Sequence, residues 1–491
     1  MAELRITYSN LTSSGGLYQS PIWLGFHNGG YDLFNTGQIA SDALEALAED
    51  GTTSALNAEI DAAQDSSVTG LITRKDGPIA PGRSGSTIVE VSTDVNTHLS
   101  WASMVLPSND AFIGSDDAVE LFDSEGDFVG FTAITITGDD VLDAGTELNT
   151  ETEAAFLNQD EADTGFDEDG VITAHPGFNG SQGKPDGTPL ILGGTNGAGQ
   201  EVTAEAADFT QDDFALGRIR INIVERFEGT DGDDVMTGDN ADDIADLGDG
   251  DDIALGGSGW DEINGGDGRD IILGQDGADV LIGGKGFDTL IGGAGNDRLI
   301  GNSGEGELRG GAGDDTIFGG RQSDAVKGNS GNDRIETGGG RDEVAGGSGD
   351  DTILTGSGSD VVQGGSGRDF INGGSGSDEL HGGSGRDEVK GGKGNDQISG
   401  GKSTDILTGG RGADSFFFGR GYADGNADTI TDLNLEEDRI LIRVAEDEED
   451  LLIDVVLEAE QATVSYGDEG EIILLGSFDS ISAITDVIFT I

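Results

Sequence analysis

A chain of 491 residues with 96 acidic and 25 basic side chains carries a formal net charge of −71. That balance argues against holding nucleic acid by neutralising phosphates and against a basic anchor for anionic lipid. Cysteine is absent, which removes disulfide staples, thiolate nucleophiles and thiolate metal ligands. Glycine, at 87 residues, is far above average usage, so its distribution decides between disorder and a fold without a conventional core.

Residues 1–225 are poor in glycine and read as an all-β domain. Leu4–Tyr8, Ser86–Val91, Phe131–Ile136 and Arg218–Ile223 alternate apolar and polar residues as half-buried strands do. Asp42 to Glu49 has helical spacing, with Asp42 and Glu45 placed as a capping box, and a second short helix is predicted over Ser54 to Gln64. Many strands with one or two helices predict a β-sandwich.

Phrases such as Leu44-Glu45-Ala46-Leu47-Ala48-Glu49-Asp50-Gly51 and Pro107-Ser108-Asn109-Asp110-Ala111-Phe112-Ile113-Gly114 resemble the spondin N-terminal domain. Asp143-Ala144-Gly145-Thr146-Glu147 and Ala174-His175-Pro176-Gly177 extend the resemblance over roughly residues 4–224. It implies a C2-like antiparallel sandwich with a calcium site at one end, for which Asp110, Asp143 and Glu147 occupy the ligand positions; Glu147 stands where the family usually has Asp. It also implies extracellular adhesion to a surface, matrix or glycan ligand. Recognition of acidic glycans is not carried over, because the charge count shows no basic surface.

Between Gly229 and Phe417 the chain runs through 21 nonapeptides without insertion or deletion, and this block holds 54 of the 87 glycines. Units such as GGKGFDTLI (283–291) and GGSGRDFIN (364–372) give the pattern G-G-x-G-x-D-x-U-x, with U apolar in every unit from Met236 to Phe416. The sixth position is Asp234, Asp243, Asp252, Asp261, Asp270, Asp279, Asp288, Asp297, Asp315, Asp324, Asp333, Asp342, Asp351, Asp360, Asp369, Asp378, Asp387, Asp396, Asp405 and Asp414, with Gly306 the one exception. The pattern resembles the calcium-binding nonapeptide of RTX proteins. The resemblance implies a parallel β-roll of six-residue turns and three-residue strands, two units to a coil, with the aspartates as Ca²⁺ ligands.

The residues support that reading independently. Glycines let loop carbonyls converge, and a carboxylate per loop completes an all-oxygen site for a hard cation. Alternate units then share an edge, so columns of 11 and 10 loops hold at most about 19 ions. Weak or empty sites are expected beside Gly306, between Asp288 and Asp324. Gly401-Lys402-Ser403 is not the end of a phosphate-binding loop, since Asp396 stands where the first glycine is required.

Residues 418–491 leave the nine-residue register. Strands at Asp428–Leu433, Arg439–Ile442, Ile453–Leu457 and Glu471–Leu475 are predicted to cap the roll, with the aromatics of Asp414-Ser415-Phe416-Phe417-Phe418 plugging its core. This end resembles RTX proteins exported by type I secretion, whose signal is C-terminal and uncleaved; the resemblance implies the type I secretion machinery as a partner and a bacterial, secreted or cell-surface location. No Sec-type signal and no transmembrane segment are read from the chain. Four scattered histidines and no H-E-x-x-H give no catalytic constellation, so a non-enzymatic calcium-binding protein is expected. The alternatives are a structural matrix or surface-layer component without a specific ligand, and an enzyme whose active site lies in the first domain.

Overall fold

Among the described residues, apolar alternation in the first 224 residues builds antiparallel sheet, and the nonapeptide builds parallel sheet. A computed structural model of the chain describes residues 1–12, 17–35, 38, 40–63, 66–74, 78–106, 111–115, 117–129, 133–137, 140–143, 173–174, 215–419, 427–443, 453–457, 461–466, 470–475 and 488–490. Among the described residues the fold is all-β apart from two helices. It divides into two compact units, Met1–Val224 and Glu225–Ile491.

In the first unit, one antiparallel sheet joins Ser84–Val91, Ala2–Asn10, Ala215–Thr230 and Ile134–Thr137. These are the four strands expected from alternation, although Phe131 and Thr132 lie outside the described residues. The second sheet is built on Ile22–His27, His98–Leu106, Ala111–Gly114, Val141–Asp143 and Val68–Ile72. Leu4, Ile6 and Tyr8 of the first sheet meet Leu24, Phe26, Leu99 and Trp101 of the second in one core. Period-two geometry sends the neighbours the other way. Trp23, Ala102 and Phe112 face the opposite side of the second sheet and pack on Leu44, Leu47, Leu56 and Ile60 of helices α1 (Asp42–Asp50) and α2 (Ser54–Ala63).

The cap of α1 corrects the sequence reading by one residue. Ser41, in extended conformation, is the N-cap, and its Oγ accepts the Leu44 N–H at 3.2 Å, where Asp42 and Glu45 were expected to form a capping box. The same hydroxyl donates to Glu59 of α2 at 2.8 Å, so a tertiary bond selects Ser41 over Asp42.

In the second unit, odd-numbered repeats form one parallel sheet and even-numbered repeats the other, giving a solenoid of about 11 turns. Register is kept at 18 residues per coil: Leu281 pairs with Leu299 and Leu299 with Ile317 on one sheet, Leu290 with Leu308 and Leu308 with Val326 on the other. The eighth-position residues from Ala245 to Phe416 are all buried and form a single file of core side chains. One apolar residue in nine suffices because the two sheets share this one layer, which is why the chain's hydrophobic content is low.

The solenoid outlasts the nonapeptides. Ala427–Ile430 adds in parallel to Ile406–Arg411, and Arg439–Arg443 adds to Ser415–Gly419. Beyond them Ile453–Leu457, Gln461–Tyr466 and Gly470–Leu475 make an antiparallel meander, of which Gln461–Tyr466 was not foreseen. Phe416 and Phe418 are fully buried against Ile430, Ile440 and Ile442, as a plug for the core requires.

Candidate metal centre

One repeat shows how the loop is made. In Gly292-Gly293-Ala294-Gly295-Asn296-Asp297 a Cβ on Gly292 would collide with Asp297 Oδ2, so the first glycine makes room for the carboxylate. Gly293 and Gly295 have φ of +125° and +131°, and a Cβ on either would strike the carbonyl oxygen of Gln275 or Gly277 in the coil before. The loops therefore stack backbone to backbone, and their carbonyls line up along the edge of the roll.

Asp297 hangs in this stack by one oxygen. Its Oδ1 accepts the N–H of Asp279 at 2.8 Å, while its own N–H donates to Oδ1 of Asp315 at 2.8 Å. The same bond, 2.7–3.1 Å long, recurs every 18 residues down both columns, from Asp234 to Asp252 and from Asp243 to Asp261 onward, with a gap at Gly306. Two edges of the roll are thus ruled by aspartate ladders. A second ladder runs outside the first: Asn296 Oδ1 accepts the Asp314 N–H at 3.0 Å, Asp314 Oδ1 that of Asn332 at 2.7 Å, and Asn332 Oδ1 that of Asp350 at 2.8 Å.

The other oxygen is the informative one. Repeat aspartates from Asp243 to Asp414 are at most 3% exposed. In Asp243, Asp252, Asp270, Asp279, Asp297, Asp315, those from Asp324 to Asp396 other than Asp360, which has the Thr355 hydroxyl beside it, and Asp414, Oδ2 is buried and accepts no hydrogen bond. Beside first-position glycines such as Gly265, Gly274, Gly292 and Gly391 it meets a carbonyl from the next coil; Asp297 Oδ2 and the Gly310 carbonyl oxygen both border the space at Gly292. Facing oxygens with no donor between them, in low dielectric, are unfavourable unless a cation or a proton joins them. Burial accordingly pushes Asp279 and Asp315 up to about 7 and Asp297 up to about 6, against the N–H bond each accepts.

The ends of the odd column show the opposite arrangement. At its start Asp234 Oδ2 accepts both the N–H and the Oγ1–H of Thr230, at 2.6 and 2.9 Å. At its finish Asp438 accepts the N–H of Asp414 on Oδ1 at 2.9 Å and of Asn434 on Oδ2 at 2.8 Å. Terminal oxygens are satisfied by the protein and interior ones are not, so the interior is the part that fits Ca²⁺. Among the described residues no three His, Cys, Asp or Glu side chains converge on one point, so the donor set is carboxylate plus backbone carbonyl, as a hard oxygen-seeking ion takes. When bound, calcium would supply charge neutralisation and a bridge between successive coils.

Two ladder residues were missed from sequence. Asp428 accepts the Asp405 N–H at 3.0 Å, and Asp438 closes the other column. Their signal is the surviving D-x-U triplet in Asp428-Thr429-Ile430 and Asp438-Arg439-Ile440. Asp432 adds to this end by accepting the N–H groups of Gly409 and Gly410 at 2.9 and 2.8 Å.

Gly306 falls where expected, paired with Asp288 and followed by Asp324, to which its N–H donates at 2.8 Å. Gly306 contributes no carboxylate to this column. Replacing Gly306 with Asp, a change its backbone permits once Leu308 Cδ1 yields, is expected to raise the calcium bound per chain by one or two ions. Isothermal titration of both proteins counts them, and an unchanged stoichiometry would refute the column assignment.

Asp110 and Glu147 of the first unit lie outside the described residues, and of Asp143 only the backbone, in strand Val141–Asp143, is described. His27 is buried: its Nδ1 accepts the Gly29 N–H at 3.1 Å, which leaves Nε2–H to donate to Ser100 at 3.0 Å. Burial, helped by His98, holds it down at about 4, so it stays neutral and braces the sheet. Trp23 is buried with Nε1 bonded to Asn57, His381 sits on the surface beside Glu379, and His175 is outside the described residues.

Comparison with known proteins follows the two units. Residues 18–161 match the family model Spondin_N, a shorter stretch than the resemblance over 4–224. Nine matches between residues 224 and 430 are to the RTX calcium-binding nonapeptide repeat. A search of curated proteins finds no match. Among solved structures the extracellular lipase LipA from Serratia marcescens is matched at 16% identity and a TM-score of 0.18, over 49% of this chain and 44% of that one, so the chain spans less than half the length of that protein. The chain joins a Spondin_N domain to a β-roll of calcium-binding RTX nonapeptide repeats.

Proposed function

We propose that the chain is an extracellular, non-enzymatic calcium-binding protein whose spondin-like unit mediates recognition or adhesion and whose roll folds on meeting calcium after export. The observation that carries the reading is the file of buried carboxylate oxygens without hydrogen-bond partners inside the roll, capped at the ends of the odd column by protein donors. In calcium-poor cytosol those columns repel and the chain stays extended enough to thread a secretion channel; in calcium-rich medium they close. The segment after Phe418 is the export address in this reading. A calcium ion at Asp110, Asp143 and Glu147 is a further part of the proposal.

Deleting residues 419–491 is expected to leave the chain inside a type I-competent cell that exports the full-length protein. Fractionation and immunoblotting check it, and normal secretion of the truncated chain would overturn the export reading. The catalytic alternative predicts turnover by the purified full chain that co-purifies with it and is lost on unfolding the first unit.

A further inference from the structure

The first unit contains seven Lys and Arg residues in 224, and five of them gather at one sheet. Direct antiparallel partners point to the same face. Ser9 lies between Ser84 and Arg218, and Arg218 beside Thr135. Thr7 lies between Ser86 and Arg220, and Arg5 between Ile88 and Asn222. These are the residues opposite to the core-facing Leu4, Ile6, Tyr8, Ile219 and Ile221. Arg218, Arg220, Ser84, Ser86 and Thr135 are exposed, and Arg218 and Arg220 have no ion-pair partner among the described residues. At the rim, Arg74 donates to the Ser84 carbonyl at 2.8 Å and Arg83 is exposed. Among the described residues the only acids paired into this face, Glu3 and Glu90, stand side by side at its far end. Arg5 itself is buried, so a protein of net charge −71 presents on this face the guanidinium groups of Arg218 and Arg220, with Arg74 and Arg83 at the rim, among hydroxyl groups.

The roll offers the complement. Asp231, Asp233, Asp249 and Asp251, at the third and fifth positions of the first and third repeats, are all exposed on successive coils of one edge. Asp251 donates its N–H to Asp233 Oδ1 at 3.0 Å, which holds that pair one coil apart. These carboxylates point outward, away from the buried ladder, so calcium in the roll would leave them charged.

We propose that the arginine face of one copy docks on this acidic corner of a second copy, a head-to-tail contact between different surfaces. Such a contact is heterologous, so it adds copies one after another into a ring or an open filament, according to the rotation between neighbours. Neutralising the interior columns with calcium lowers the repulsion between copies, and physiological salt screens the remainder beyond about 8 Å while leaving pairs in contact. Assembly therefore follows calcium loading. Rim and face charges of this kind set partner and register more than affinity, so the assembly is dynamic.

Sedimentation velocity of the full chain in calcium tests the proposal. The mean mass is expected to rise with protein concentration and to fall back to monomer in high salt. R218E/R220E and D231K/D249K, all at exposed side chains, are each expected to be monomeric with unchanged circular dichroism. Mixing the two variants is expected to restore assembly, because each reversed surface then meets its opposite. A wild-type chain that stays monomeric at every concentration, or assembly that survives both reversals, would overturn the proposal. So would two monomeric variants that fail to rescue each other, since that result means the arginine face and the acidic corner do not touch.

Discussion

Stripping calcium from the full chain is expected to erase the circular-dichroism signal of the roll and expand the molecule, and returning calcium restores both. The nonapeptide block carries 38 acidic and 14 basic residues, a net charge of −24. Its interior aspartates are withdrawn from water, and leaving a buried charge uncompensated costs several kcal/mol per ion in folded proteins. Against this the block offers one core side chain per repeat. So thin a core does little to offset the chain entropy of ordering nine residues per repeat. At most about 19 divalent ions then reverse the balance, because an ion that binds only the folded state adds its binding free energy to folding. The first unit, with two apolar cores of its own and no dependence on the ladder, is expected to keep its signal. Far-UV circular dichroism and small-angle scattering across a chelator titration check both halves; a roll that stays compact without metal would sink the account.

What could be read from sequence depended on how each feature is encoded. The roll was legible because a fixed period of nine writes register, sheet assignment and the aspartate ladder into the chain at once. Asp428 and Asp438 escaped because the spacing to their ladder partners changes from 18 to 23 and 24 residues, although the triplet around each is intact. Ser41 and Asp42 both satisfy the local rules for an N-cap, and only contact with Glu59, 18 residues on, separates them. The arginine face is the clearest case of information that a charge count cannot hold. Residues 5, 218 and 220 meet only because the first and last strands of the unit pair, and a sum over the chain dissolves them into −71.

In metal-stripped protein, lowering the pH from 8 to 5 is expected to restore part of the roll's β signal. Burial pushes Asp279, Asp315, Asp351, Asp387 and Asp396 up to about 7, and Asp270, Asp297, Asp360 and Asp414 up to about 6, from 3.8. Neighbours in the same column add to the shift, and the N–H that each accepts opposes it. The folded roll therefore binds more protons than the unfolded chain, so its stability rises as pH falls. The contribution is fully present below about 3.8 and is lost as pH rises through 6 to 7, which places the change within the range tested. A proton on Oδ2 does in part what calcium does: it removes the charge and supplies a donor to the facing carbonyl. It does not bridge coils with charge, so recovery stops short of the calcium-bound signal. Calcium and protons then compete for one oxygen, and the structure gained on adding calcium is expected to be larger at pH 8 than at pH 5. A metal-stripped roll more ordered at pH 8 than at pH 5 would mean that the buried oxygens face water or a donor, and the ladder would lose its role as the metal centre.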